Sequence, residues 1–271
     1  MTHRIVLVGC GNMGFAMLSG WLRADPALAV HVVEPAAPLR ARAGETGAIA
    51  VASLSDLPAG LSADLVVLAV KPQMIAPVLA ECADLARHGA AFVSVAAGIP
   101  LATMAAALPE ATPIIRCMPN TPAAIGEGMM VLCAGPGVPT NRRALAETLL
   151  SHSGAVAWIE DEGLMDAVTA ISGSGPAYVF HFIEALTEAG VALGLPADTA
   201  GLLARQTVAG AGRMAQTAET PPGVLREQVT SPGGTTAAAL QVFMTNHRMT
   251  TLVIEATRAA RDRGAELGRQ G

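Results

Sequence analysis

Residues 5–14 read Ile-Val-Leu-Val-Gly-Cys-Gly-Asn-Met-Gly, in which an apolar strand runs directly into a G-x-G-x-x-G turn. In such a turn the first glycine allows a sharp bend, the second lets a pyrophosphate approach the backbone, and the third lets the next helix pack closely. A second apolar run ends at Glu34, where this kind of fold reads the ribose of a dinucleotide. The pattern predicts a dinucleotide-binding βαβ unit, and a purely structural turn is the alternative.

Strand-like and helix-like segments alternate from the glycine turn to about residue 160. With a helix expected over residues 73–87, the strands expected after the first two include residues 49–51, 65–70, 91–95 and 114–118. Their apolar residues do not alternate with polar ones, which is typical of parallel strands covered on both faces. We therefore predict an α/β fold whose residues 1–160 form a Rossmann-type domain with a doubly wound parallel sheet.

From residue 161 to residue 271 the pattern changes to helices alone, rich in alanine and glycine. The expected helices include residues 164–171, 176–193, 197–216 and 249–267. A helical domain of this size has a limited core of its own, so one of its faces is expected to be buried against another copy. We predict an all-helical dimerisation domain over residues 161–271, with a homodimer or a larger homo-oligomer as the assembly.

Composition narrows the classes of partner. The chain has 271 residues, a net charge of −5 and 52% apolar residues. Because it has no basic run, no nucleic-acid partner is expected, and its apolar runs are too short for a membrane span. The four cysteines are scattered without C-x-x-C pairs, which disfavours a metal site and fits reduced thiols. With no room for a signal peptide before the first strand, we expect a cytoplasmic protein.

Three further segments carry candidate chemistry. Residues 116–122 read R-C-M-P-N-T-P, residues 172–178 read S-G-S-G-P-A-Y, and residues 231–236 read S-P-G-G-T-T. The first lies at the end of a strand, so we expect it in one cleft with the glycine turn, because ligands of open α/β sheets bind beyond the carboxyl ends of strands. The last opens a helix, and its glycines let successive N–H groups point one way and hold a carboxylate. An ordinary helix cap is the alternative for that loop.

In this order and spacing, the segments resemble the Δ1-pyrroline-5-carboxylate reductase family over nearly the whole chain. The resemblance implies a Rossmann domain followed by a helical dimerisation domain, as predicted above. It also implies hydride transfer from a reduced nicotinamide dinucleotide to the imine carbon of 1-pyrroline-5-carboxylate, which gives L-proline. Reduction of a related cyclic imine carboxylate is an alternative.

The resemblance implies a cofactor site in three segments. The residues that would hold the pyrophosphate are Gly9, Gly11, Asn12, Met13 and Gly14. Those that would pass beside the nicotinamide half are Ala69, Val70, Lys71 and Pro72, where Lys71 has the alternative of a solvated lysine. Those that would wall the pocket near the transferred hydride are Cys117, Met118, Pro119 and Asn120.

The resemblance places the substrate on the helical domain. The backbone that would bind the substrate carboxylate belongs to Gly233, Gly234 and Thr235, beside Ser231. Thr236 is the candidate catalytic residue, because its hydroxyl would face the ring nitrogen. Glu219 aligns with a family glutamate near the substrate. A cyclic imine is readily protonated and then accepts hydride, so positioning suffices without a strong protein acid.

The choice between NADH and NADPH rests on the end of the second strand. Glu34 would bind the ribose hydroxyls of NADH and repel the 2′-phosphate of NADPH. Asp56 adds a second acid near the adenosine end. The resemblance implies NADPH as the family default, whereas Glu34 favours NADH. Arg40 and Arg42 could accept a phosphate, but we expect them on a solvated helix face.

Two rival functions share the predicted fold. A β-hydroxyacid dehydrogenase needs a lysine from the helical domain, and Lys71 is the only lysine of this chain. A dinucleotide sensor without turnover would have no need of a carboxylate-binding loop at residues 231–236. Both rivals are therefore disfavoured.

Overall fold

The computed structural model describes residues 3–270, with side chains as far as residue 268. The strands in this range are β1 (Arg4–Val8), β2 (Ala29–Val33), β3 (Ile49–Val51), β4 (Leu65–Leu68), β5 (Ala91–Ser94), β6 (Ile114–Met118), β7 (Gly128–Ala134) and β8 (Gly154–Trp158). They form one sheet, in the order β3-β2-β1-β4-β5-β6-β7-β8. This order is that of a Rossmann-type fold, because the chain reverses direction across the sheet beside β1.

Helices cover the sheet and then continue alone. In the same residues they are α1 (Asn12–Ala24), α2 (Ala37–Gly44), α3 (Ile75–Glu81), α4 (Ala83–Arg87), α5 (Leu101–Ala106), α6 (Thr140–Ser151), α7 (Met165–Val168), α8 (Gly175–Ala192), α9 (Ala197–Thr217), α10 (Pro222–Gln228), α11 (Thr235–Met244) and α12 (Arg248–Gln270). None of the helices within residues 3–270 combines the length and the apolar character that crossing a membrane requires.

The core lies in two layers, one on each face of the sheet. Strand β1 contributes to both, with Ile5 and Leu7 in one layer and Val6 and Val8 in the other. The first layer includes Trp21 of α1, and the second is filled from α3 and α5. Because successive strand residues point to opposite faces, this arrangement explains why β1 is apolar at every position after Arg4. The predicted α/β fold is confirmed.

The sheet departs from the prediction at β7, which runs antiparallel to β6, whereas β8 is again parallel to β7. A parallel pair needs a crossover of about a dozen residues or more. The chain between β6 and β7 holds only the short 3₁₀ segment Thr121–Ile125, and Gly126 turns it back with φ +78°. The expectation of a fully parallel sheet is therefore wrong at this one pair.

Two predicted helices are also divided in the structure. The helix expected over residues 73–87 is broken at Cys82, where φ is −83° and ψ is 2°, so that α3 ends and α4 begins. The helix expected over residues 164–171 consists of the end of a 3₁₀ turn, the short α7 and a π-helical turn, Thr169–Gly173. Apolar periodicity is similar for these variants of helical geometry and does not separate them.

By backbone contacts the chain forms two compact units. One runs to Ser174 and takes in the segment from Ala260 onward, and the other is Gly175–Ala259. The first holds the sheet with its covering helices, and the second is helical. The functional boundary expected between residues 160 and 161 stays a prediction.

Candidate active site

The glycine turn is formed by close approach of three pieces of backbone. Gly9 has φ +89°, and its N–H donates to the carbonyl oxygen of Val33 at 2.8 Å. A Cβ added at Gly9 would lie only 2.7 Å from the carbonyl oxygen of Ala69. Both the positive φ and the lack of space require glycine at this position.

The other two glycines of the turn have different roles. A Cβ at Gly14 would overlap the carbonyl oxygen of Gly9, so Gly14 brings α1 close to the end of β1. A Cβ at Gly11, by contrast, would meet no atom within 4 Å in the described part of the chain. Gly11 precedes Asn12, the first residue of α1, so open space lies at the electropositive start of this helix. That space fits a pyrophosphate.

The segment after β4 lies directly on the glycine turn. The N–H of Ala69 donates to the carbonyl oxygen of Val8 at 2.8 Å, and a side-chain carbon of Val70 lies close to the Gly9 backbone. Lys71 precedes the 3₁₀ turn Pro72–Met74, and its carbonyl oxygen accepts from Met74 N–H at 2.9 Å. Its side chain is exposed. Two of the three predicted cofactor segments are thus brought together.

Glu34 is buried at the end of β2, with a relative exposure of 6%. One carboxylate oxygen accepts from the N–H of Cys10 at 2.7 Å, and the other accepts from the N–H of Ala36 at 2.9 Å. Its carboxylate therefore holds the glycine turn, while its role toward a ribose stays a prediction. The hold on the glycine turn was not part of the prediction.

Arg40 and Arg42 were expected on a solvated helix face, and both are instead half-buried and hydrogen-bonded to the backbone. Arg40 donates to the carbonyl oxygens of Glu34 and Pro35, both at 2.9 Å. Arg42 donates to the carbonyl oxygen of Cys10 at 3.1 Å and stacks 4.0 Å above the centre of the Phe15 ring. Both arginines are thus bound to backbone carbonyl oxygens, Arg40 just after β2 and Arg42 at the glycine turn.

Asp56 closes a turn of its own. Its Oδ2 accepts from the backbone N–H of Ser53 at 3.0 Å and from the Ser53 hydroxyl at 2.8 Å. These bonds form a capping box at the 3₁₀ segment Leu54–Asp56. Its predicted role toward the adenosine stays a prediction.

The third predicted cofactor segment, residues 117–120, spans the end of β6 and is held by side chains. Asn120 accepts from the N–H of Met129 at 2.8 Å and donates through Nδ2 to the carbonyl oxygen of Ser172 at 3.1 Å. Met118 packs against Gly173, where its terminal methyl occupies the space of a Cβ. The predicted pocket wall, in which Pro119 is buried, is therefore tied to the π-helical turn.

An ion pair beside this wall was not predicted. Arg116, buried on β6, donates to Oε1 of Glu162 at 2.9 Å, and the same oxygen accepts from the N–H of Leu101 at 2.8 Å. Glu162 thus joins β6 to the start of α5. The signal available in the sequence was an arginine inside an apolar strand, because a buried charge needs a partner.

The cysteines near the glycine turn and the wall are held as neutral thiols. Burial raises the pKa of the Cys117 thiol to about 12. Burial raises the pKa of Cys10 to about 11, with Arg42 opposing the rise and Glu34 adding to it. Because the thiolate is the reactive form, neither residue is a nucleophile near neutral pH.

The predicted substrate residues all lie in the helical unit. Gly233 has φ +70°, and Gly234 precedes α11 and donates to the carbonyl oxygen of Ser231 at 3.0 Å. No side chain caps this helix within the described residues, so its first amides remain available to a ligand. Thr235 and Thr236 form the first turn, with Thr236 half-buried.

Glu219 is exposed before α10. It belongs to the same helical unit as the loop at residues 231–236.

Comparisons with known proteins agree along the whole chain. Residues 162–267 match a family model described as pyrroline-5-carboxylate reductase dimerisation, and residues 4–98 match one described as NADP oxidoreductase, coenzyme F420-dependent. The pyrroline-5-carboxylate reductase of Pseudomonas aeruginosa is 44% identical over 271 residues, covering 99% of this chain and 98% of that protein.

Solved structures show the same likeness. The structure of a pyrroline-5-carboxylate reductase from Coxiella burnetii has a TM-score of 0.93 at 36% identity, covering 98% of this chain and 99% of that one. Plasmodium falciparum pyrroline carboxylate reductase, solved with NADP bound, has a TM-score of 0.76 at 27% identity and covers 98% of both chains.

The Rossmann-type sheet and the open glycine turn define an oxidoreductase that uses a nicotinamide dinucleotide. The helical second domain and the identity to full-length relatives define it further. The chain belongs to the pyrroline-5-carboxylate reductase family. The resemblance drawn from the sequence motifs is thereby confirmed.

The raised pKa values of the thiols predict low reactivity in the folded protein. At about pH 8, a thiol with a pKa of about 11 or 12 is ionised in about one molecule in a thousand or fewer. We expect a chromogenic disulfide reagent to label almost no cysteine in the folded protein and all four after unfolding in denaturant. Rapid labelling of Cys117 in the folded protein, located by mass spectrometry, would contradict the assignment of a neutral, buried thiol.

Proposed function

We propose that this chain reduces 1-pyrroline-5-carboxylate to L-proline with a reduced nicotinamide dinucleotide. The observation that carries the proposal is the 44% identity to a pyrroline-5-carboxylate reductase over nearly the whole chain, and the helix start without a side-chain cap at residues 231–236 supports it. The dinucleotide, when bound, supplies the hydride. The imine carbon receives that hydride, the ring nitrogen retains a proton taken from water, and the C=N bond becomes a single bond.

The residues of this chain act by binding and orientation. The glycine turn and the first amides of α1 hold the pyrophosphate, and the segment from Ala69 to Pro72 supports the nicotinamide half. The backbone of Gly233, Gly234 and Thr235 binds the substrate carboxylate. Thr236 holds its hydroxyl against the ring nitrogen, which fixes the ring for hydride transfer.

Replacement of Thr236 tests this assignment. For Thr236→Ala we expect kcat/KM for 1-pyrroline-5-carboxylate to fall by about tenfold or more, because a hydrogen bond at the reacting nitrogen is lost. The KM for the dinucleotide should change little. The measurement is oxidation of the reduced dinucleotide, followed by its absorbance.

Thr236→Ser is the matched control, since it keeps the hydroxyl and should retain most of the activity. Unchanged kinetics in Thr236→Ala would remove Thr236 from the reaction. No turnover of 1-pyrroline-5-carboxylate by the unmodified protein would overturn the proposed function itself.

We also propose that NADH is the preferred cofactor. Glu34 is fixed by two backbone N–H groups at the ribose position, and this fixed negative charge opposes a 2′-phosphate. Arg40 and Arg42 are engaged with backbone carbonyl oxygens and the Phe15 ring, which reduces the positive charge offered to a phosphate. The alternative is NADPH, and the Plasmodium falciparum relative, which was solved with NADP bound, supports that alternative.

Removal of the Glu34 charge tests the preference. For Glu34→Gln we expect the ratio of kcat/KM with NADH to that with NADPH to fall by about tenfold, because repulsion of the 2′-phosphate is relieved. Glu45→Gln, which removes an exposed charge at the end of α2, is the control and should leave the ratio unchanged. A strong NADPH preference of the unmodified protein would show that Glu34 does not select the cofactor.

The assembly that we propose is a homodimer formed by the helical unit. Helices α8, α10 and α11 bury no residue fully within the described chain. Large apolar side chains on α8, α9 and α12 are exposed instead, including Phe180 at 60%, Leu202 at 61% and Leu252 at 61%. An exposed apolar face of this kind marks a protein–protein interaction site. The match to a family model described as pyrroline-5-carboxylate reductase dimerisation supports a second copy of the chain as the partner.

Sedimentation of charged variants tests the dimer. We expect the unmodified protein to sediment as a dimer or a larger even assembly, and Leu202→Glu with Leu252→Glu to lower the assembly size. Ile49→Glu, at a residue 58% exposed on β3, is the matched control and should leave the assembly intact. A monomeric unmodified protein at micromolar concentration would contradict the proposal.

The compartment that we propose is the cytoplasm. All four cysteines are free, which supports a reducing environment. Recovery of the protein outside the cytoplasmic fraction of its source cells would contradict this.

A further inference from the structure

The motif S-G-S-G-P-A-Y at residues 172–178 has no role in the function described above, yet its start has unusual geometry. Residues Thr169–Gly173 form a π-helical turn, and the N–H of Ser174 donates to the carbonyl oxygen of Thr169 at 2.8 Å. Such turns are rare and occur frequently at functional sites. The turn places Ser172 beside the end of β6.

The position of Ser172 is fixed from two sides. Its carbonyl oxygen accepts from Nδ2 of Asn120, at 3.1 Å. The next residue, Gly173, is packed against the terminal methyl of Met118. Met118 and Asn120 belong to the segment that we expect to wall the nicotinamide pocket. Ser172 is therefore held at that wall by the backbone and by a neighbouring side chain.

The hydroxyl of Ser172 is the unexplained group. Its oxygen is buried and has no hydrogen-bond partner in the part of the chain that the structure covers. A buried hydroxyl without a partner costs free energy, so each one needs an explanation, and an unseen ligand is one such explanation. A hydroxyl both donates and accepts, and its hydrogen rotates to suit its partner.

We propose that the Ser172 hydroxyl binds the carboxamide of the nicotinamide ring and so sets the orientation of that ring. This inference rests on the proposed function and on the pocket wall at Met118–Asn120. The carboxamide offers both a donor and an acceptor next to the reacting carbon, which matches a hydroxyl. The polar groups of the substrate have other partners, since its carboxylate and nitrogen are assigned to residues 233–236. Ser172 is thus a cofactor-positioning residue.

Binding to the protein without substrate tests the inference. For Ser172→Ala we expect the Kd of the reduced dinucleotide, measured by its fluorescence, to rise by about tenfold, as for loss of one hydrogen bond. The Kd of ADP-ribose, which lacks the nicotinamide, should not change. The Tm of the free protein should stay the same or rise, because no internal hydrogen bond is lost.

Ser153→Ala is the matched control. Ser153 also has a buried hydroxyl without a partner in the described residues, but it lies against Gly20 of α1. This variant should leave both Kd values unchanged. Ser172→Cys, which keeps the volume and offers only a weak hydrogen bond, should give an intermediate Kd and serves if Ser172→Ala does not fold.

The outcomes separate this inference from the proposed function. An equal loss of affinity for ADP-ribose in Ser172→Ala would show a structural role and overturn the inference. Unchanged affinity for the reduced dinucleotide would overturn it as well. In both cases the proposed function stands if the unmodified protein still turns over 1-pyrroline-5-carboxylate.

Discussion

The close approach of backbone at Gly9 is the constraint on which the first unit depends. The Gly9 N–H is bonded to the end of β2, and the Gly9 Cα faces the carbonyl oxygen of Ala69 after β4. Gly14 packs on the carbonyl oxygen of Gly9. These contacts bring the carboxyl ends of the central strands together and start α1 in the space between them. At Gly11, between these two packed glycines, the described residues leave open space. The same turn therefore sets the local structure and the predicted pyrophosphate site.

The features that could be predicted from the sequence are those that short, local sequence patterns determine. The glycine spacing at residues 9–14 and the unbroken apolar strands determine the local geometry within a few residues. The sheet and the glycine turn could therefore be predicted. The helix start after the loop at residues 231–236 was also predicted from sequence, because Gly233 and Gly234 before two threonines are typical of a helix start without a side-chain cap. Strand and helix positions followed from apolar periodicity, with ends shifted by a few residues.

The features that were missed depend on pairs far apart in sequence. Nothing around Glu34 shows that its carboxylate will accept from Cys10, or that Arg42 will stack on Phe15. The pairing of Arg116 with Glu162 likewise appears only after β6 and the start of α5 are neighbours. The reversal of β7 is set by the length of a connection rather than by the pattern of the strand. Each of these is a tertiary contact, which periodicity does not encode.

At the end of β6, the predicted pocket wall of residues 117–120 carries no charged side chain. Its residues are a thiol, a thioether, a proline and an amide, and burial keeps the thiol of Cys117 neutral by raising its pKa to about 12. The charge on this strand, Arg116, is instead neutralised by Glu162 and used to hold α5. Hydride transfer to a protonated imine needs a fixed geometry more than a proton donor. If residues 117–120 line the pocket as proposed, a neutral wall braced by a nearby ion pair would provide that geometry without a competing acid or nucleophile, and hydrogen bonds such as those of Asn120 would hold its orientation.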